Sequence, residues 1–308
     1  MLYPNGLHRT PGDIDIWVDG GDKRVISFVR SISPHEKACY HHIEFPSYKG
    51  VEVEVHYRPS FLLCFWHNRR LQNYYERVKE EQFSHRVMLG EQGEVAIPTA
   101  EFNLIFQLTH IYAHLMNEGI GLRQLLDYYY VLCDFYKVYQ NSSNPSVSLS
   151  KGSSTFSPSP SSSGSGDVTA PSRCSEPLRS KDGGPSKVSP KCAGWDRLGV
   201  LQKELKELGL WKFAGGIMYI MQEVFGMPAS RLIVPPNEKY GKFVLNEVLE
   251  AGNFGKHDER IRFGRLQLGH NLQRVYRDMR LVRYFPAEAL CEPLFRIWHF
   301  FWRMKNKK

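Results

Sequence analysis

A chain of 308 residues with 42% hydrophobic and 13% aromatic content can bury a substantial core in one large or two ordinary domains, which excludes a fibre. The net charge of +8 sits at the end: from Lys256 to Lys308 there are 13 Lys and Arg against 5 Asp and Glu, an excess equal to that of the whole chain, and suited to phosphates, nucleic acid or an anionic surface as well as to a solvated helix face. No signal peptide and no apolar run of membrane-spanning length is present, and Cys39, Cys64, Cys133, Cys174, Cys192 and Cys291 show no C-x-x-C spacing, so a reducing cytoplasm is expected, without a zinc module or disulfide framework.

Residues 12–58 read as strand-rich. "DIDIWV" and "VEVEVHYR" alternate apolar and polar residues with period two, and "GGDKRVISFVRSI" between them opens on turn residues and continues as a helix. From Arg58 to Val138 the pattern is helical. It is clearest in "TAEFNLIFQLTHIYAHLMNEG", where Thr99 is the expected N-cap and Gly119 the expected stop, and a further helix follows at "LRQLLDYYYVLCDFYKVY". Residues 140–192 are dominated by Ser, Pro, Gly and Lys and lack the apolar surface to offset ordering, so they read as a disordered insert. Helical patterning resumes at "WDRLGVLQKELKELGLWKFAGGIMYIMQEVFG" and again from about Arg260 to the basic C-terminus. The segment "AGNFGKHDER" carries a Gly-Asn-x-Gly turn signal, and "LFRIWHFFWRMKNKK" reads as a terminal helix docked on the core in preference to a membrane-surface helix.

Chemistry concentrates in the first zone. Residues i and i+2 of a strand share a face, so Asp13 and Asp15 stand side by side while Ile14 and Ile16 are expected to point into the core. Two carboxylates so close repel unless a divalent cation lies between them, and hard oxygen donors suit magnesium. Gly12, directly before the pair, permits close backbone approach. In "VEVEVHY" the residues Glu52, Glu54 and His56 share one face, and Glu54 is the favoured third acid if the two strands are neighbours. Taken alone, an Asp-x-Asp is more often a polar strand face or a turn; the second strand's acids and the preceding glycine favour chemistry.

"GDIDIWV" resembles the Gly-Asp-x-Asp signature of the DNA polymerase β-like nucleotidyltransferase superfamily. More specifically, the order "YPNGLHRTPGDIDIWV", "VEVEVHYRP", "HIYAHLMNEGIGLRQLLDYYYVL" and "GNFG" resembles an uncharacterised bacterial nucleotidyltransferase family, over most of the chain outside the insert. The resemblance implies an α+β fold: a small mixed β-sheet with flanking helices, then a mainly helical region. The corresponding divisions are a catalytic portion over 1–98, a helical region over 99–139, the insert over 140–192 and a helical C-terminal region over 193–308. It implies transfer of a nucleoside monophosphate from an NTP to an acceptor: a small molecule, a protein side chain or RNA. Asp13, Asp15 and Glu54 would hold two Mg2+ ions, with Glu54 acting in deprotonation of the acceptor hydroxyl. Arg9 and Gly12 would lie by the nucleotide, and Arg123 and Asp127, from the "GIGLRQLLD" block, near nucleotide or acceptor.

Only 12 residues precede Asp13. The family's first strand and phosphate-binding turn are therefore expected to be missing, as in a late start, a fragment or a degenerate copy. That leaves an inactive paralogue binding a nucleotide or partner, or an RNA-binding protein using the basic C-terminal region, as alternatives. His110 and His114, four apart on a helix, read as a face packed against the catalytic sheet before a metal site, and Arg123 with Asp127 at i and i+4 as an ion pair.

Overall fold

The computed structural model describes residues 3, 9, 12–90, 93–143, 190–251 and 267–306. The expected first strand forms as β1 (Ile14–Trp17) and is followed by α1 (Gly21–Ile32). A hairpin of β2 (His42–Tyr48) and β3 (Val51–His56) comes next. β3 matches its alternating sequence. β2 escaped the period-two reading because Pro46 interrupts "HIEFPSY" and the register shifts between Phe45 and Tyr48. The chain reverses through Lys49 and Gly50, at φ 51° and 81°, the left-handed pair that matches the twist of a tight hairpin. In the three-stranded sheet the order is β1-β3-β2, with β1 parallel and β2 antiparallel to β3.

The two faces of this sheet meet different partners. On one, α1 lays Val25, Ile26 and Val29 against Ile43, Val55 and Tyr57 in a small separate core. That cover stops short of β1. Ile14 and Ile16, expected in the core, are instead 39% and 44% exposed, because β1 is an edge strand and α1 packs over β3 and the opposite edge, β2. On the other face Trp17 stacks on Phe102 at 5.7 Å between ring centres and meets Phe83 and Tyr75, fastening the sheet to α2 (Phe65–Ser84) and α3 (Ala100–Asn117).

Part of the stretch expected to be helical is not. β4 (Arg86–Met88) and β5 (Glu94–Ala96) pair antiparallel, turning through Gly90 and Gly93 at positive φ, and Pro98 ends the hairpin before α3. α3 begins as read, with the Thr99 hydroxyl accepting from the Phe102 amide at 3.3 Å. It is followed by α4 (Leu122–Ser143), α5 (Pro190–Glu207), α6 (Trp211–Glu223), α7 (Glu238–Ala251), α8 (Gln267–Val282) and α9 (Pro286–Lys305). Leu108 and Ile111 of α3, Leu125 and Tyr128 of α4 and Phe213 and Ile217 of α6 lie in one continuous core.

The borders of the Ser/Pro/Gly-rich insert, 140–143 and 190–192, are the end of α4 and the start of α5. Its residues 144–189, and the Gly-Asn-Phe-Gly turn at 252–255, lie outside the described residues. α9 docks by one face, burying Glu288, Ala289, Glu292 and Phe295. The Glu288 carboxylate accepts from the Leu63 and Cys64 amides at 2.6 and 2.9 Å and faces His67 Nδ1 at 2.9 Å, so it closes the N-terminus of α2 from a distant helix. Among the described residues no helix is long and apolar enough to cross a membrane.

Candidate active site

Asp15 and Glu54 are direct partners in the parallel β1–β3 pair. Their side chains therefore leave the sheet on the same face, one strand spacing of about 4.8 Å apart. Asp13 joins them from the start of β1, and one carboxylate oxygen from each of the three lies within 4.8 Å of the others. Sequence reading named these three, and the register brings them together.

Their charges are unevenly compensated. Burial and the neighbouring Asp15 and Glu54 carboxylates push the Asp13 carboxyl up, the crowding that a divalent cation relieves. Burial also acts to raise Asp15, but the hydrogen bond and charge of His56 outweigh it, and its carboxyl is lowered. Glu54 lies well below the ordinary carboxyl range for the same reason: against burial, it faces both His42 and His56.

These histidines were not assigned a role from the sequence. His56, only 2% exposed, sits with Nε2 at 3.2 Å from Asp15 Oδ1 and 3.2 Å from Glu54 Oε2, while His42 Nδ1 lies 2.9 Å from Glu54 Oε2. Burial opposes protonation of both rings, yet the facing groups prevail: His56 is raised to about 9 by Asp15 and Glu54, and His42 to about 10 by Cys39 and Glu54. The signal for His56 was its place on the face of Glu54. That for His42 required the pairing of β2 with β3, which sets His42 opposite His56.

α3 supplies the opposite wall. His110 and His114 approach each other at 3.0 Å between their Nε2 atoms, and their charges act on Asp15 and Asp13 respectively. They thus form the expected helix face toward the catalytic sheet. Among the described residues no group of three ligating side chains at metal spacing includes them. Burial and the charge of His114 lower His110 to about 4.

The remaining predicted residues separate. Arg123 is not paired with Asp127; its Nη2 approaches Gly12, within 3.7 Å of where a Cβ would stand, so a cation does reach the start of β1. Asp127 is engaged by Arg9, at 3.1 Å from Nε, and by the Tyr3 hydroxyl at 2.5 Å. Segment-to-helix pairing wins here over the local i, i+4 contact.

A cleft of about 390 Å3 opens beside the acids and shares His41, His110 and His114 with their surroundings. Its far side is built by Arg274 of α8 and by Glu292, Arg296, His299 and Arg303 of α9. Glu292 Oε2, Arg296 Nε and His299 Nε2 are buried there without a hydrogen-bonding partner among the described residues.

Residues 1–139 match the model of a family described as uncharacterised nucleotidyltransferase. The match is somewhat less than half of the chain and takes in β1, β2, β3, α3 and nearly all of α4, and so Asp13, Asp15, Glu54, His42, His56, His110 and His114. No curated protein and no solved structure matches the chain.

Proposed function

We propose that the protein is a divalent-metal-dependent nucleotidyltransferase that moves a nucleoside monophosphate from an NTP to an acceptor hydroxyl. The observation that carries this reading is the convergence of Asp13, Asp15 and Glu54 from two paired strands, within a segment that matches a nucleotidyltransferase family. The donor set fits Mg2+, being three carboxylates, one of them raised by its like-charged neighbours. Bound ions would neutralise charge building on the triphosphate and lower the proton affinity of the acceptor hydroxyl.

The protein's own share is positioning. Asp15 and Glu54 are fixed by backbone register, and His56 and His42 hold the Glu54 carboxylate in one orientation. Arg123 brings a positive charge to the start of β1, and Arg9 is oriented by Asp127 at the same end. The cleft between α3 and α8–α9 is the acceptor's place in this reading, with the unpartnered polar atoms of Glu292, Arg296 and His299 available to a polar ligand. Because α3 and α4 wall the site, the catalytic unit runs through residue 139, and a cytoplasmic location belongs to the same reading.

Incubation with each of the four NTPs and Mg2+ in a cell extract supplying acceptors tests it. Pyrophosphate release is expected with at least one NTP, and Asp15→Asn lowers it by about 10²–10³-fold or more. Undiminished release by that variant would remove Asp15 from the chemistry.

A further inference from the structure

Beyond the three acids, a second donor group meets at Glu54. His42, Glu54 and His56 place one ligating atom each within 4.8 Å of one another, and Asp15 Oδ1 reaches the same ring nitrogen of His56. Glu54 therefore belongs to two groups at once, an all-carboxylate one with Asp13 and Asp15 and a mixed one with two imidazoles. The mixed group does not follow from any spacing motif, because His42 joins Glu54 and His56 from the neighbouring strand.

The tautomer of His56 is fixed from behind. Its Nδ1 lies 3.3 Å from the Arg58 carbonyl oxygen, which can only accept, so Nδ1 carries a hydrogen and Nε2 is the atom turned on the carboxylates. A ring held through one nitrogen to a backbone carbonyl, with the other free to ligate, is the arrangement metal-binding histidines use. The separations agree as well. Donors about 2.1 Å from a common ion stand about 3.0 Å apart at the corners of an octahedron and about 3.4 Å apart in a tetrahedron, and Glu54 Oε2 lies 2.9 Å from His42 Nδ1 and 3.2 Å from His56 Nε2. Magnesium prefers oxygen donors, whereas imidazole with carboxylate selects first-row transition ions.

We propose that His42, Glu54 and His56 form a transition-metal site of the Zn2+ or Co2+ type beside the hard-ion site, with Glu54 common to both. This deepens the nucleotidyltransferase reading, resting on Glu54 as an ion holder, by naming the class of one cofactor ion. The neighbouring Cys39, His41 and His42 form a competing donor group, with Cys39 Sγ 3.4 Å from His41 Nδ1, and any test has to separate the two.

Metal-stripped full-length protein is titrated with Co2+, following its d–d absorption and the bound stoichiometry by equilibrium dialysis, with no nucleotide present. One strongly held ion is expected, displaced by Zn2+ and not by Mg2+ at equal concentration. His56→Asn and His42→Asn each weaken binding by at least about tenfold, while Cys39→Ser leaves the absorption and affinity unchanged. Circular dichroism checks that the variants fold. Should His56→Asn not fold, the half-buried His42 decides together with Cys39→Ser. Absent Co2+ binding, unchanged affinity in the histidine variants, or loss on Cys39→Ser overturns the proposal. Pyrophosphate release is a separate readout: cobalt binding as expected without pyrophosphate release leaves this site standing and removes the transferase reading.

Discussion

Glu52 and Glu54 leave β3 on the same side, yet only Glu54 stands opposite Asp15 and joins the acid group, while Glu52 is exposed one step back toward the hairpin. Their roles divide accordingly. Glu54→Gln is expected to lower pyrophosphate release by about 10²-fold or more, and Glu52→Gln to leave it within about twofold, since isolated surface charges contribute little. Equal losses in the two variants would show that charge on the strand face, not the Glu54 position, matters. At this scale the acids were legible because a strand's two-residue period fixes which side chains share a face. The histidines were not, since the approach of His42 to Glu54 depends on β2 lying beside β3, and Pro46 obscures β2 in the sequence. The Asp127–Arg9 pair was equally hidden: nearness along α4 suggested Arg123, and only the fold brings residue 9 to that helix.

At the scale of elements, α2 shows how a distant helix completes a local one. It begins after Cys64, whose side chain offers no cap, and the amides there are satisfied by Glu288 of α9 instead. Truncation to Ala leaves two buried donors without an acceptor and removes the partner of His67. At about 1–3 kcal/mol for each unsatisfied group, Glu288→Ala is expected to lower unfolding free energy by about 3 kcal/mol in urea, and Glu288→Gln, which keeps one acceptor oxygen, by less. A loss under about 0.5 kcal/mol would mean that solvent replaces the carboxylate. The N-terminus of α3 could be read from Thr99 because its cap is local, whereas that of α2 could not, its cap arriving from 224 residues away. The β4–β5 hairpin was missed for a different reason: strands of three residues carry too little periodicity to register against the flanking helices.

Across the whole molecule, periodicity indicated a strand-rich start followed by helices and the family resemblance implied a small mixed sheet joined to a helical body, and that is the architecture found. What they could not indicate is where the two meet. Trp17 fills that junction among Phe102, Phe83 and Tyr75, and α9 returns to wall the cleft. His299 on that wall makes the assembly sensitive to acid. Burial, and secondarily the charge of Arg303, lower its pKa from 6.5 to about 4. Below about 6.5 the unfolded chain takes up a proton there that the folded chain refuses until about 4, so folding stability declines as pH falls through that window and is fully present above it. The melting temperature of His299→Gln is therefore expected to fall less than that of the wild type between pH 7 and about pH 5. Parallel declines would show that His299 is not shielded in the folded state.

The strand that carries Asp15 and directly follows Asp13 has four residues, one hydrogen-bonded neighbour among the described residues and two exposed isoleucines on its reverse side. A strand paired on one side opens more readily than one held between two neighbours, so its amides are expected to exchange with solvent deuterium faster than those of β3. Ions gripping its carboxylates would stitch it to the sheet, and slowed exchange confined to β1 would register their arrival before any turnover. The cost of holding that strand still is then borne by the ligand, which sets a natural ceiling on how tightly the first ion can bind.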